Sequence, residues 1–135
     1  MNSTNVKVFK TPMAEITFYK KEKYIYQKYL SKNFAEVKDI EEHTQILSRE
    51  LEGFLPVATI SDIREVKGFS KAVRDYGGNT SSKLALGLAV IIKSGLSKVI
   101  GNIGTQLVRT DYPTRLFTNV DKAVEWLGSL DYTNR

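Results

Sequence analysis

The chain of 135 residues contains no cysteine. That absence excludes a disulfide framework, a thiolate metal site and a cysteine nucleophile together. It holds a single histidine, His43, so no second imidazole can share a metal with it. A Ser-His-Asp arrangement would have to use His43, and no Gly-x-Ser-x-Gly elbow is present. Nor is there a Gly-x-x-x-x-Gly-Lys-Ser/Thr loop or a Gly-x-Gly-x-x-Gly after a strand. Gly101-Asn102-Ile103-Gly104 falls inside an expected helix, which excludes it as a phosphate loop. Long apolar runs are missing too. The longest, Leu84 to Ile92, is far short of the roughly 20 residues of a spanning helix. The polar start, Met1 to Asn5, has no apolar core of a secretory signal. These absences lead us to expect a cytoplasmic domain with no membrane span and no cofactor, which binds a partner and is not an enzyme.

What is present is ordinary in amount: 41% hydrophobic and 26% charged residues, as in a globular domain. We expect a single domain over residues 13–130, with a loose segment over 1–12 and a polar tail over 131–135. Net charge is +5 and the pI is near 9.4, but the lysines are scattered. The tight group Lys20-Lys21-Glu22-Lys23 reads as a turn. Tyr19, Tyr24, Tyr26 and Tyr29 could stack on bases, yet sheet surfaces collect tyrosine anyway. A nucleic-acid partner is therefore kept only as a further alternative.

The pattern alternates between strand and helix. Ile16 to Tyr19 and Tyr24 to Leu30 alternate and read as a hairpin around the charged turn. Val37, Ile40, Thr44, Leu47 and Leu51 mark an amphipathic helix, with Asn33 as its expected N-cap, Gly53 as its stop and His43 as a partly exposed member. Phe54 to Ile60 is a buried strand, with Pro56 near its start. Ser70 is expected to cap a short helix over Lys71 to Tyr76 that Gly77-Gly78 ends. Leu84 to Ile92 is a second buried strand. A helix follows on the stripe of Leu96, Val99, Ile100, Ile103 and Leu107. Thr114 to Phe117 is a short strand. Thr118 and Asp121 have capping-box spacing ahead of a final helix with Val120, Ala123, Val124 and Leu127 inward. The order β-β-α-β-α-β-α-β-α implies a mainly parallel sheet with right-handed crossovers.

Open α/β sheets place ligands at the carboxyl ends of their strands. Asp62 directly follows a buried strand, and Lys93, Ser94 and Asn119 follow the next two. Asp62, Arg64, Ser70, Ser94 and Asn119 are thus the candidate partner-binding edge. The competing expectation is that Asp62 ties its own loop through backbone N–H groups. A lone acid without a partner base does not mark acid–base catalysis, so no catalytic or metal residue is assigned.

Pro56 to Arg64, Leu84 to Lys98, and Pro113-Thr114-Arg115-Leu116-Phe117-Thr118-Asn119 with Ala123 and Trp126-Leu127 resemble successive segments of STAS domains, the sulphate transporter and anti-sigma-factor antagonist family. The last motif is similar to the ending of a bacterial STAS/SEC14-like branch. The resemblance spans about residues 14 to 130. It implies a SpoIIAA-type α/β fold with a mixed sheet of four to five strands and helices mostly on one face. It also implies a non-enzymatic, protein-binding regulatory role. Anti-sigma antagonists carry a phosphorylated Asp-Ser-Ser/Thr-Gly motif at the helix after the central strand. This chain has Gly68-Phe69-Ser70-Lys71 there, so phosphorylation of Ser70 does not carry over. The expected function is a protein-interaction module with an unidentified protein partner, possible as a homodimer through the N-terminal hairpin. The alternative is a carrier of a small apolar ligand or lipid, and a large apolar cavity would favour it.

Overall fold

The computed structural model describes residues 5–80, 83–94 and 112–130. The expected helix over Leu96 to Leu107 lies outside them. Three strands open the chain: β1 (Val6–Lys10), β2 (Ala14–Tyr19) and β3 (Tyr24–Tyr29). They form an antiparallel meander with Val6 opposite Tyr19 and Tyr19 opposite Tyr24. A two-residue strand β4 (Asn33–Phe34) precedes helix α1 (Val37–Glu50). Next come β5 (Val57–Asp62), a two-residue strand β6 (Gly68–Phe69) and α2 (Lys71–Thr80). The described remainder is β7 (Ala85–Ile91), β8 (Thr114–Phe117) and α3 (Val120–Ser129).

The main sheet has the order β1-β2-β3-β5-β7-β8. From β3 onward every pairing is parallel. As expected, the two most apolar segments, β5 and β7, are adjacent and central. All six residues of β5 are buried. A strand covered on both faces has no polar side to present, which is why its sequence runs apolar without alternation.

Side chains alternate across this sheet, and each face has its own core. Ala14, Ile16, Phe18, Ile25 and Val57 pack with Leu47 and Leu51 from α1. Ala58, Ile60, Ala89 and Ile91 on the opposite face pack with Ala123 and Leu127 from α3. A third cluster, Met13, Phe34, Ile40 and Val73, joins α1 to α2. Phe18, Phe34, Met13 and Ile16 are almost wholly buried, at about 1.5–3 kcal/mol for each large side chain. Among the described residues, α1 and α2 thus share one face and α3 covers the other.

Several local expectations are corrected. Residues 6–10 are not part of a loose lead-in, because they form β1, which pairs along β2 and makes the sheet six-stranded. Lys7 anchors it: its Nζ donates to the Glu50 carbonyl at 3.0 Å and meets the Glu50 carboxylate at 3.0 Å. A cation suits the carbonyl end of α1. Asn33 is not the cap of α1. It pairs with Gly68, while the N-cap is Glu36 and makes no side-chain bond. Gly77-Gly78 does not end α2, which continues to Thr80. A Cβ on Gly77 would stand 3.2 Å from Cδ1 of Ile40, so this glycine lets the two helices approach. The cap of α3 is Asn119, not Thr118, with Oδ1 accepting from the Lys122 N–H at 3.1 Å. Gly53, at φ +89° just beyond α1, supplies the expected left-handed stop.

Candidate functional site: a cavity between the sheet and two helices

Because β5 alternates, its polar residues part company. Thr59 and Ser61 face α1 and α2, while Asp62 faces the α3 side with Ala58 and Ile60. The two faces hold different chemistry.

On the α3 side, Asp62 is buried and saturated. Its Oδ1 accepts from the Arg64 backbone N–H at 3.2 Å and from Arg64 Nε at 2.9 Å. Its Oδ2 accepts from Arg64 Nη2 at 2.6 Å and from the Tyr26 hydroxyl. Burial alone would raise the Asp62 carboxyl, but the Arg64 guanidinium and the Tyr26 hydroxyl hold it below its ordinary value. Tyr26 is pushed up to about 12, first by desolvation and then by Asp62. A carboxylate so occupied is a poor base.

The other candidate residues occupy separate posts. Ser70 caps α2, with its Oγ accepting from the Val73 N–H at 3.1 Å and donating to the Ala35 carbonyl at 3.1 Å. Ser94 is exposed beyond β7, and Asn119 caps α3. The strand ends do gather as expected: Ile63 N–H donates to the Ile91 carbonyl and Ile92 N–H to the Phe117 carbonyl, at 3.0 and 2.8 Å. Asp62 and Arg64 therefore share an edge with Ser94 and Asn119, while Ser70 stands between β6 and α2, its N–H donating to the Phe34 carbonyl at 2.9 Å.

The opposite face carries a half-open cavity of about 230 Å³. Strands β3, β5 and β7 floor it with Ile25, Gln27, Tyr29, Thr59, Ser61, Leu88 and Val90. Helix α1 contributes Ile40, His43, Thr44 and Leu47, and α2 contributes Val73, Arg74, Gly77 and Gly78. Tyr112 also reaches it. The volume exceeds the ~150 Å³ of a dry apolar cavity that takes up benzene. It falls short of the ~300–1,000 Å³ of drug-sized sites.

A few polar groups interrupt this lining. Gln27 and Ser61 are register partners on β3 and β5, and Gln27 Nε2 donates to Ser61 Oγ at 3.0 Å. Gln27 is 5% exposed, and its Oε1 has no hydrogen-bond partner among the described residues. Desolvation pushes the Tyr29 phenol up to about 12, against the pull of hydrogen bonds from Ser61 and Gln27. Thr59 Oγ1 is spent on the Val57 carbonyl at 3.0 Å.

His43 corrects an expectation, since it is buried at 3% exposure and not partly exposed. Its Nδ1 lies 2.7 Å from Thr11 Oγ1. That hydroxyl already accepts from the N–H groups of Met13 and Ala14, each at 3.1 Å. Both acceptor positions being used, the hydroxyl is left to donate, chiefly to Nδ1 and at 3.4 Å to the Ala14 carbonyl, and the imidazole is neutral with its proton on Nε2. Burial lowers His43 to about 4. Among the described residues, no group of three or more histidine or carboxylate side chains could hold a metal ion. No helix among them is long and apolar enough to cross a membrane.

Sequence reasoning missed the cavity because it looked to strand ends. Two signals were available. Gln27, Thr59 and Ser61 are polar residues inside buried strands, and His43 lies three residues after Ile40 and four before Leu47, on the apolar stripe of α1.

A family model described as a domain of unknown function, DUF7793, matches residues 24–131, well over half of the chain. No curated protein matches. Among solved structures, the chain is similar to an uncharacterised protein of the DUF3478 family from Shewanella loihica PV-4, described as having a SpoIIAA-like fold. The TM-score is 0.59, with 18% sequence identity over 90% of this chain and 91% of that one. The likeness shows the fold, a SpoIIAA-like α/β domain, in agreement with the STAS-like resemblance of the sequence.

Proposed function

This chain belongs to the DUF7793 family, and we propose that its domain binds a small, mainly apolar molecule in the cavity beneath α1 and α2. The observation that carries this reading is the cavity itself, about 230 Å³ between secondary structure elements and lined mostly by aliphatic side chains. An apolar hollow of that size that opens to solvent holds aliphatic side chains against water, a contact that an apolar ligand relieves. The domain acts by binding and not by catalysis: Asp62 is neutralised by Arg64, and His43 is neutral and anchored to Thr11.

The test is thermal melting of the whole chain with and without methylcyclohexane near its solubility limit. The wild type is expected to gain several degrees. Val90→Phe, which places a ring into the cavity from β7, is expected to gain nothing while folding normally. Equal shifts for both proteins would sink the reading.

A second reading is contact with a second copy through β1. The favouring observation is that this edge strand leaves Val6 39% and Val8 59% exposed, and an unpaired edge readily adds a strand. Light scattering on wild type and Val8→Lys tests it. A monomer mass for wild type at high concentration would dispose of it.

A further inference from the structure

We infer that the cavity selects a neutral ligand that donates a hydrogen bond, such as an alcohol, and that Gln27 Oε1 is the group that selects it. The inference rests on the cavity being a ligand site and adds the chemistry of the ligand.

Gln27 is fixed by its own amide nitrogen. Its Nε2 donates across the register to Ser61 Oγ at 3.0 Å. The donor half of the side chain is thereby committed, which orients the carbonyl half. That oxygen is buried and has no partner among the described residues. A buried acceptor left unmade costs free energy that a hydrogen bond restores. A ligand donor against Oε1 therefore gains twice, by satisfying its own polar group and by satisfying the protein's. A ligand offering only an acceptor places two oxygen lone-pair sets together and gains neither.

The charge of the ligand follows from the other polar groups. His43 is neutral, as its hydrogen bond from Thr11 requires. Tyr29 is a phenol, not a phenolate. Arg74 is the cationic side chain among the described residues of the lining, and its Nη1 donates to the Phe69 carbonyl at 2.8 Å. A carboxylate would meet the Arg74 charge, which a carbonyl contact does not cancel, but would have to abandon water for a lining in which Oε1 repels it. Sites built to hydrogen-bond a hydroxyl discriminate strongly against analogues that lack it, because the buried partner is then left unpaired.

Three probes of similar size separate the possibilities: cyclohexanol, cyclohexanone and methylcyclohexane, with cyclohexanecarboxylate as the anion. Calorimetric or thermal-shift affinities are measured on the full chain and on Gln27→Met. The wild type is expected to bind cyclohexanol at least about tenfold more tightly than cyclohexanone, the value of one recovered hydrogen bond. Gln27→Met is expected to lose that preference and still bind methylcyclohexane. That retained binding also shows the variant is folded. Equal affinities for alcohol and ketone in the wild type would overturn the inference and leave the cavity reading standing, with water serving Oε1. Tightest binding of the carboxylate would overturn it in favour of Arg74. Failure of all four probes would overturn the inference together with the cavity reading.

Discussion

Acidification should destabilise this protein in a window that belongs to one residue. His43 is the single histidine of the chain, and burial takes it from an ordinary 6.5 to about 4 in the folded state. In the unfolded chain it titrates near its ordinary value. Between those two values the unfolded state holds a proton that the folded state rejects, so stability rises with pH and is lost as pH falls. At about 1.4 kcal/mol for each tenfold difference in acidity constant, the full loss is about 3 kcal/mol. Most of it has accrued by about pH 4.5, which is a large part of a typical domain's ~5–15 kcal/mol. The geometry agrees with the sign: a protonated Nδ1 would confront the Thr11 hydroxyl proton at 2.7 Å. The folded carboxyls of Asp62 and Glu50 lie below their ordinary 3.8 and 4.5, so their contributions fade only as pH falls through those values, at and below the foot of the window. The assay is urea unfolding followed by the fluorescence of Trp126, the single tryptophan, at half-unit steps from pH 7 to 4.5. His43→Gln should flatten the profile. A wild-type profile flat to within about 0.5 kcal/mol, or an unchanged slope in His43→Gln, would refute the argument.

Two further outcomes follow from the packing. Leu127, 4% exposed among Ala58, Ile60, Ala89 and Ile91, pins α3 to the sheet; Leu127→Ala should lower unfolding stability by about 2–5 kcal/mol, read from the urea midpoint. Gly78 is helical with nothing within 4 Å of a built Cβ, so Gly78→Ala should stabilise by about 0.5–1 kcal/mol. Gly77→Ala should give back part of that gain against Ile40, and equal gains at the two positions would show that the helices do not meet there.

The central strands were legible because burial on both faces leaves an unmistakable apolar run in Val57 to Asp62 and Ala85 to Ile91. The strand β1 was not. An edge strand is covered on at most one side, and one of its inward positions is Lys7, whose partner is the end of α1. The candidate edge was legible as a place, since the strand ends of β5, β7 and β8 do align. What occupies it was legible in part: Asp62 does tie its own loop through the Arg64 backbone N–H, as the competing expectation held, while the Arg64 guanidinium that reaches back to it is a matter of rotamer and not of pattern. The cavity is further from the sequence still. It is the space left between α1, α2 and three strands, and no local periodicity records the distance between packed elements.

The sheet is also two different problems for a chain that has yet to fold. From β1 to β3 each strand meets its neighbour across a short turn, so these contacts close small loops and cost little entropy. From β3 to β8 each parallel pairing waits for a crossover to be traversed, Tyr29 to Val57 being the first. Pairings between distant parts of a chain form slowly. The meander is therefore the part of the domain able to assemble early, with β3 as the template on which β5, then β7 and β8, must find their register. Gln27 sits on that template strand, opposite Ser61, so the first long-range pairing of the fold is also the one that completes the polar floor of the cavity.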